Sequence, residues 1–522
     1  MRNLKRALSL ALASVMLLGM MVVGTSASYP DVTSENNEEA IAVMQLLKVM
    51  EGDDKGNFNP AKAVTRNEMA VIMCKLLDLN TKDYAGSCPF TDVPAWAEPY
   101  VAACYANKIV SGTSATTFGG DQTVATAQAA LMVLKALGYF QYAADFGEDW
   151  MVSTVKQASK ISLFDGISSN ANAALTRDAV AQMALNALEA DVVDTDGNGG
   201  TTIKGDGFEI STGSAKYTEV KSKKTDDYRT KTEDQDEVQQ LIEKLFGKDV
   251  VKTTADDKKN PAADDFGRPA IKWENKDKDV KDSITVANDP IKVFAGADYD
   301  KDATKDLKED YKNGIKAVKY NGGNDPKVNV AYLEKGINGL SIEIYEDPAD
   351  DDGLIAVVTE GYVAQISDIE TNDKDEVKKV TFTVYEATTS ESITIVAKDD
   401  EDQYDLVKDL DKDDYFIAVL KPGWNSSKKA SDLLAADDVE TVEGKVTAIS
   451  EDGKYNGWVK IDGTKYDFAN EYSQEKVGLK NEGTFYLYNG YVVHFDKEAN
   501  KAADEYLLVV RTGVETNKWN SK

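Results

Sequence analysis

Histidine is almost absent from this chain, which has one histidine among its 522 residues. That residue, His494, lies in an alternating, strand-like segment, so a catalytic centre built on histidine would have to be assembled around a position typical of a sheet surface. The sequence also lacks a glycine-rich phosphate loop and a nucleophile elbow. We therefore expect a protein that is not an enzyme. A carboxylate pair that hydrolyses polysaccharide stays open as a minor alternative, because 90 acidic residues offer many such pairs.

Cysteine is scarce as well. The three cysteines, Cys74, Cys88 and Cys104, allow at most one disulfide, and their spacing matches no zinc site. Cys74 and Cys104 fall inside apolar helical patterns. We expect buried free thiols rather than a disulfide scaffold.

Positive charge is under-represented. The chain has 60 basic and 90 acidic residues, which gives a formal net charge of −30. Such a field repels nucleic acid and anionic lipid, so neither is expected as a partner. It suits an extracellular surface that stays soluble or collects divalent cations.

Long apolar runs are limited to one, at the N-terminus. Arg2, Lys5 and Arg6 precede an apolar stretch over residues 7–23, and small residues follow at 25–27. This order predicts a secretory signal peptide over residues 1–27. The alternative is a membrane anchor, since a run of this length could just span a bilayer. No later run reaches 18 apolar residues and the C-terminus shows no sorting signal, so we expect a secreted protein, without a transmembrane segment after signal removal, that a folded module holds at the surface.

A repeat with a period of 60 residues occupies the N-terminal part. Gly52 and Gly112, and likewise Phe58 and Phe118, are separated by this offset. Each copy reads as a helix, a glycine-containing loop and a second helix. The copies cover residues 28–80, 87–140 and 143–192, and the third is shortened. Two short helices bury too little apolar surface alone, so the three copies should pack on one another.

The remainder of the chain is richer in strand patterns. We expect a linker over residues 193–227, a mixed and β region with little core over 228–345, and two β-modules over 355–425 and 436–522. The two modules share a weaker repeat, because residues 360–367 match residues 443–450 at an offset of 83. The simplest interpretation is two tandem small β-domains, each a sandwich or a barrel.

The motifs of the helical copies resemble the S-layer homology (SLH) domain. The resemblance rests on Val64-Thr65-Arg66-x-Glu68 in copy one, on Phe-x-Asp-Val at the start of copy two, and on the glycine after each first helix. It implies that the N-terminal module is an all-α pseudo-trimer. With the chain length and the strand patterns that follow, we expect a multidomain protein whose later part consists of mainly-β tandem domains. The resemblance also implies binding to secondary cell-wall polysaccharide, often through a pyruvylated sugar, with Asp31, Asp92 and Trp96 as pocket walls.

The residue with the sharpest prediction is Arg66. Thr65 and Glu68 have the spacing of a capping box, which by itself only starts a helix. Arg66 at the first helical position opposes the helix dipole, so it needs another reason to be there. A guanidinium beside free helix N–H groups would form an anion site for a carboxylate on a sugar. The alternative is a solvated or structural arginine.

The copies differ at this position. Copy two has Thr126 instead of the arginine, so its pocket should be weak. Copy three keeps Arg177 but has Ala179 in place of Glu68. We expect one or two working pockets, centred on Arg66 and Arg177.

A second candidate site is a calcium loop. Asp298, Asp300 and Asp302, with Glu309 at the twelfth position, have the oxygen spacing of an EF-hand, although the glycine at position six is missing. A similar start at Asp194 lacks the final acid. An ordinary acidic turn is the alternative for both. Calcium is therefore the single cofactor that the sequence offers.

Taken together, these patterns predict a surface-layer or surface-layer-like structural protein that binds the cell wall through its helical module and could self-associate through its β-modules. The leading alternative is an adhesin or carbohydrate-binding exoprotein that uses the same anchor.

Overall fold

The computed structural model describes residues 29–497 with gaps. The gaps are residues 34, 196–201, 206–207, 212–216, 222–237, 248, 258–259, 278–281, 295–304, 335–337, 375, 386–391, 400–401, 451–456 and 470–476. The predicted signal peptide lies outside the described residues. The chain divides into two compact units, residues 1–291 with 345–354, and residues 292–344 with 355–522. In broad outline this is the expected architecture, a helical N-terminal region followed by mainly β structure.

The helices of the first unit come in pairs. Each second helix starts after an extended residue, and at Thr65 the predicted capping box is present: the Thr65 hydroxyl accepts from the Glu68 N–H at 3.2 Å and the Glu68 carboxylate accepts from the Thr65 N–H at 2.8 Å. Ala125 cannot offer this bond with its methyl side chain. The helices are α1 (Glu38–Leu46), α2 (Arg66–Leu76), α3 (Glu98–Ala106), α4 (Thr126–Ala136), α5 (Trp150–Lys160) and α6 (Arg177–Glu189).

Three extended residues just before α2, α4 and α6 close a ring of backbone hydrogen bonds. The N–H of Val64 donates to Leu175 at 2.9 Å, Leu175 donates to Val124 at 3.0 Å, and Val124 donates back to Val64 at 2.9 Å. All three side chains are buried. The backbone groups are therefore satisfied inside an apolar centre, which fixes the order in which the three helix pairs meet.

The core of the first unit extends beyond the helices. A short helix α7 (Leu241–Phe246) and a sheet of three strands, β5 (Val250–Thr253), β6 (Ala270–Asn275) and β7 (Asp282–Ala287), pack on it. Trp273 is fully buried in the same apolar cluster as the helices, and its indole N–H donates to Glu39 at 2.8 Å. Lys252 pairs with both Glu39 and Glu189. The expectation of little core in this region is wrong, because one tryptophan and a few aliphatic residues suffice when they share a core that already exists.

Two short two-stranded ribbons occur along the chain between α6 and α7. Strand β1 (Val193–Thr195) pairs with β4 (Tyr217–Glu219), and β2 (Thr202–Gly205) pairs with β3 (Phe208–Ser211). The Tyr217 hydroxyl donates to Asp145 at 2.6 Å. The predicted linker therefore contains strands, one of which is held against the helical module.

Two β-modules of five strands each have the same strand order. The first extends from residue 350 to residue 438, beyond the predicted bounds of 355–425, and its residues 350–354 are counted with the first unit. In the first, the central strand β11 (Asp350–Thr371) has β12 (Val377–Tyr385) and β13 (Ser392–Lys398) on one side and β14 (Tyr415–Leu420) and β15 (Leu433–Asp438) on the other. In the second, the central strand β16 (Glu440–Ile449) is flanked by β17 (Trp458–Ile461) and β18 (Thr464–Asp467), and by β19 (Glu482–Tyr488) and β20 (Tyr491–Lys497). Gly361 and Gly444, which the offset of 83 equates, both sit in the central strand.

The second module closes on itself in part, because Phe468, just after β18, forms a parallel bridge with Val492 of β20. In the first module the long central strand pairs with further strands. Strand β11 also pairs with β9 (Ile315–Tyr320) and with β10 (Leu340–Asp347), which pairs in turn with β8 (Lys292–Phe294).

Candidate functional site

Arg66 is anchored on a loop of the neighbouring repeat. Its Nε donates to the carbonyl oxygen of Phe118 at 3.2 Å and its Nη2 donates to that of Ser111 at 2.9 Å. The guanidinium carbon lies 4.5 Å from the centre of the Phe118 ring, which is a cation–π contact. The side chain is half-buried, so it joins copy one to copy two while part of the guanidinium still faces solvent.

Arg177 repeats this geometry between copies three and one. Its Nε donates to the carbonyl of Phe58 and its Nη2 to that of Glu51, both at 2.8 Å. The guanidinium carbon lies 4.6 Å from the centre of the Phe58 ring. Two independent copies of one arrangement indicate that the loop and the arginine form a defined unit.

Asp31 and Asp92 hold the same two loops from the other side. The carboxylate of Asp92 accepts from the backbone N–H groups of Phe118 at 2.7 Å and Gly119 at 2.8 Å. The carboxylate of Asp31 accepts in the same way from Phe58 at 2.8 Å and Asn59 at 2.6 Å. Each loop is thus clamped between an aspartate of its own copy and an arginine of another copy. The sequence predicts these residues as site members but not how they pair.

The helix N–H groups beside the arginines are not free. The N–H of Arg66 donates to Gln122 and that of Asn67 donates to Gly120, both at 2.9 Å. The N–H of Glu68 is taken by the Thr65 hydroxyl. The prediction of an anion site on free helix N–H groups is therefore wrong, and positive charge at this site comes from the guanidinium itself.

We call Arg66 with Phe118 and Asp92 the Arg66 cluster, and Arg177 with Phe58 and Asp31 the Arg177 cluster. Each cluster contains a second aromatic ring that packs against the phenylalanine. Tyr29 lies 5.4 Å from Phe58, and Phe90 lies 5.6 Å from Phe118, measured between ring centres. Both phenylalanines are fully buried. Trp96, predicted as a pocket wall, is 56% exposed in the segment that precedes α3.

In copies one and two, the glycine after the first helix is required by this aromatic packing. A β-carbon at Gly112 would lie 2.4 Å from the Phe90 ring, and one at Gly52 would lie 2.4 Å from the Tyr29 ring. Any side chain there would displace the aromatic residue. The Tyr29 hydroxyl also accepts from the Gly52 N–H at 2.8 Å. The glycine in the motif is thus explained by close approach.

The third position of this arrangement has neither an arginine nor an aromatic ring. Thr126 takes the place of the arginine and contacts Ser169, which stands where Phe58 and Phe118 stand in their loops, with their hydroxyl oxygens 2.8 Å apart. Each of these positions contacts the loop of the next copy: Arg66 of copy one binds the loop of copy two, and Thr126 of copy two faces the loop of copy three. The loop that lacks an arginine contact is therefore that of copy three. An open depression of about 480 Å³ lies beside it, and its lining includes Ser168, Ser169, Asn170, Thr176 and Ala179.

The electrostatic surroundings of the two arginines differ. Burial lowers the pKa of both guanidinium groups. Nearby acidic groups raise these pKa values again. For Arg66 the group is Asp92. For Arg177 there are four such groups: Glu68, Tyr29, Asp31 and Asp53. Hydrogen bonds from the Phe118 and Gly119 N–H groups lower the pKa of Asp92, so this carboxylate is ionised at neutral pH.

The predicted calcium loop falls mostly outside the described residues, since Asp298, Asp300 and Asp302 belong to one of the gaps. Glu309 is described and lies in the π-helical segment Leu307–Tyr311, where its exposed carboxylate is 3.8 Å from Lys305. Within the described ranges, no cluster of three or more acidic, histidine or cysteine residues has a geometry that could hold a metal ion.

The thiols of Cys74 and Cys104 are buried and lie in contact, with their sulfur atoms 3.5 Å apart. All three cysteines are free thiols, which confirms that expectation in the structure.

His494 lies in β20 between aromatic rings, 4.6 Å from Tyr385 and 5.5 Å from Tyr486.

Comparison with known proteins gives two matches to a family model described as the S-layer homology domain, over residues 28–70 and 89–130. A surface-layer 125 kDa protein of Lysinibacillus sphaericus is 31% identical over 154 residues, which are 29% of this chain and 13% of that protein. A middle cell wall protein of Brevibacillus brevis is 26% identical over 200 residues, 37% of this chain and 19% of that protein. An endoglucanase of a Bacillus species (strain KSM-635) is 30% identical over 110 residues, 19% of this chain and 12% of that protein.

The chain spans less than a quarter of the length of each of these relatives. The two matched stretches coincide with copies one and two of the repeat. Across the described part of the chain, no helix combines the length and apolar character needed to cross a membrane.

Proposed function

Since this chain is a secreted, wall-anchored cell-surface protein with S-layer homology domains, we propose that it is a non-enzymatic structural component of a surface layer or a similar coat. S-layer homology domains bind cell-wall polysaccharide. Three such repeats, in a pseudo-trimer, would hold this protein non-covalently on the secondary polymer. The observation that carries the proposal is the pair of clusters in which Arg66 and Arg177 each grip the loop of another repeat.

The third repeat is supported by backbone geometry. Residues 143–192 supply α5, α6 and Leu175, and Leu175 takes the same place in the ring of hydrogen bonds as Val64 and Val124. The N–H of Thr126 donates to Ala173 just as that of Arg66 donates to Gln122. A helix–loop–helix unit with equivalent bonds at equivalent positions functions as a third repeat, even though its loop has lost the aromatic residue.

The ligand of the helical module is a sugar polymer with an acidic substituent such as a pyruvate ketal. Half-buried guanidinium groups at the rim of an aromatic cluster suit a carboxylate attached to a sugar ring. The exposed indole of Trp96 offers an apolar face of the kind on which sugar rings stack.

The β-modules form the outward part of the coat, as tandem sandwich or barrel domains that contact neighbouring copies. Their shared strand order supports a repeated building block. The alternative is an adhesin or carbohydrate-binding exoprotein on the same anchor. A wall-associated polysaccharide hydrolase is the less favoured alternative; the endoglucanase similarity covers only 19% of this chain, so it favours a common segment rather than a common activity.

The anchor is tested by sedimentation of the full-length secreted protein with purified cell walls. We expect the wild-type protein to sediment and the double variant Arg66→Ala, Arg177→Ala to stay in the supernatant, with an unchanged circular dichroism spectrum as the control for folding. If the double variant sediments with the walls to the same extent as the wild type, the two arginines are not required for wall binding and the proposal is wrong. The coat is tested by electron microscopy with and without Ca²⁺: ordered sheets support the lattice, whereas a monomer that binds a defined glycan supports the adhesin.

A further inference from the structure

The two arginine clusters share one backbone framework. Loop one, residues 51–60, and loop two, residues 111–120, present their first residue and their phenylalanine to the guanidinium in the same way. Each loop is also held through two N–H groups by its aspartate. The two loops even share the same sequence of exposed and buried positions from 51 to 59 and from 111 to 119. Any difference in ligand between the two sites must therefore come from side chains.

The side chains of the two loops differ systematically in charge. Loop one contains three acids and one lysine in its first five residues, and loop two has an uncharged residue at every one of these positions. These side chains are exposed, so a ligand that approaches the loop meets their charges. Glu51 is also paired with Lys75 at 2.9 Å, and the Asp53 carboxylate accepts from the N–H groups of Lys55 and Asn57 in its own loop. The charged residues are Glu51, Asp53, Asp54 and Lys55, and their counterparts are Ser111, Thr113, Ser114 and Ala115.

The helices beside the loops differ in the same sense. Glu68 accepts from the N–H of its cap residue Thr65 at 2.8 Å, and its counterpart Gln128 accepts from the N–H of Ala125 at 3.2 Å. An amide oxygen therefore makes the same capping contact without a charge. Glu68 is partly compensated by Lys62, 2.9 Å away. The negative charge beside loop one is thus not required for the helix to begin.

The surplus of acids acts directly on one of the two arginines. Glu68, Asp31 and Asp53 are all close enough to Arg177 to favour its charged form, whereas Asp92 is the acid that does so for Arg66. An anion that approaches Arg177 therefore meets several carboxylates at the rim of the site. One that approaches Arg66 meets a neutral loop, and unscreened like charges weaken binding.

We propose that the Arg66 cluster receives the negatively charged group of the wall polymer and that the Arg177 cluster excludes it. This inference rests on the proposed wall-binding function and specifies which site takes which ligand. The Arg177 cluster then contacts uncharged sugar or serves only to join copies three and one. Asp53 and Glu68 are the residues that determine this specificity, together with their neutral counterparts, Thr113 in loop two and Gln128 in α4.

The test exchanges charges and keeps both arginines. The variant Thr113→Asp, Gln128→Glu gives the Arg66 site the counterparts of Asp53 in loop one and Glu68 in α2, at positions where the other copy already tolerates them. The matched variant Asp53→Asn, Glu68→Gln removes from the Arg177 site the two acids that the Arg66 site lacks. The full-length proteins are titrated with purified cell walls at low salt and at 1 M salt.

At low salt we expect the first variant to bind walls roughly tenfold more weakly than the wild type. At 1 M salt, where charges are screened beyond about 3 Å, the difference in affinity between the variant and the wild type should largely disappear. The second variant should bind at least as tightly as the wild type. Unchanged binding of the first variant, or a weaker second variant, would overturn the proposal. Equal thermal midpoints exclude a folding defect.

Chemically modified walls identify the anion. If the bound group is a carboxylate, amidation of the wall carboxylates should weaken the binding of the wild-type protein. The loss of affinity should match that of the first variant on untreated walls. Removal of wall phosphate should have this effect if the group is a phosphate. Wild-type binding that is indifferent to both treatments contradicts an anionic ligand. If the wild type fails to bind intact walls at all, the wall-binding function itself fails, which is a distinct result.

Discussion

The Nε of Arg66 donates to the carbonyl oxygen of Phe118, a residue 52 positions further along the chain, at 3.2 Å. The two residues belong to different copies of the repeat, so the contact exists only when the copies have assembled. The same is true of Arg177 and Phe58. Each arginine therefore joins two repeats while its guanidinium lies at the surface of the site.

The helix caps provide a first prediction, because the two copies are natural variants of one another. Thr65→Ala removes the hydroxyl that caps α2 and should lower the free energy of unfolding by about 1 kcal/mol. Ala125→Thr should raise it by up to about 1 kcal/mol, since Gln128 already supplies the other half of the box. Denaturant titration measures both. Equal effects of the same sign would contradict this account of the caps.

Trp273 provides a second prediction, because it belongs to the core of the helical module. Trp273→Ala should cost about 3–5 kcal/mol, and a fragment of residues 28–192 should be less stable than one of residues 28–291. The control is Trp150→Ala, since Trp150 is 37% exposed and its loss should cost far less. Differential scanning calorimetry measures these effects. A fragment 28–192 as stable as the longer one would show that the β5–β7 sheet is dispensable.

Asp437 provides a prediction of pH dependence. One oxygen of this carboxylate has no hydrogen-bond partner among the described residues, and burial together with Asp438 raises the pKa of Asp437 to about 6. The folded protein therefore holds a proton that the unfolded chain releases near pH 4. The stabilising contribution is present below about pH 4 and is lost as the pH rises through about 6.

Asp437→Asn should consequently stabilise the protein at pH 7 by about 2 kcal/mol relative to its effect at pH 4. The comparison variant is Asp438→Asn, which removes only the smaller cause of the raised pKa of Asp437 and should therefore weaken the pH dependence without abolishing it. Thermal midpoints of the three proteins at pH 4, 5, 6 and 7 test this prediction. Parallel pH profiles of the wild type and the Asp437 variant would show that this carboxyl is not the titrating group.

The cysteines provide a fourth prediction. In the native protein an aromatic disulfide reagent should label Cys88, which is partly exposed, and should spare Cys74 and Cys104, which are buried. Reaction at Cys88 should be slow at neutral pH because burial raises the pKa of its thiol. After unfolding without reductant, all three thiols should react. A count of one after unfolding would instead reveal a disulfide between Cys74 and Cys104.

Much of the local structure follows from the sequence because its causes are local. The capping box at Thr65 and Glu68 depends on residues three positions apart. The offset of 83 between residues 361 and 444 predicts two related modules, and the structure gives both the same strand order. Periodicity and repeats are properties that a linear reading can detect.

The positions of Trp273 and Thr126 could not be predicted in this way. Trp273 lies in a charge-rich stretch of the sequence. It is buried because it packs on an apolar surface of helices that end more than 80 residues before it in the chain. The absence of an arginine at Thr126 is visible in the sequence, but its consequence falls on the loop of copy three. Both facts depend on contacts between segments that are far apart in the chain.

The sequence by itself determined the repeat, its helix starts and its candidate residues, since these depend on spacing along the backbone. Only the tertiary structure decided that Arg66 serves the loop of copy two and Arg177 the loop of copy one. The physical reason is the ring of hydrogen bonds between Val64, Val124 and Leu175, which sets the order of the repeats around a common centre. That order places one arginine beside a neutral loop and the other beside an acidic one.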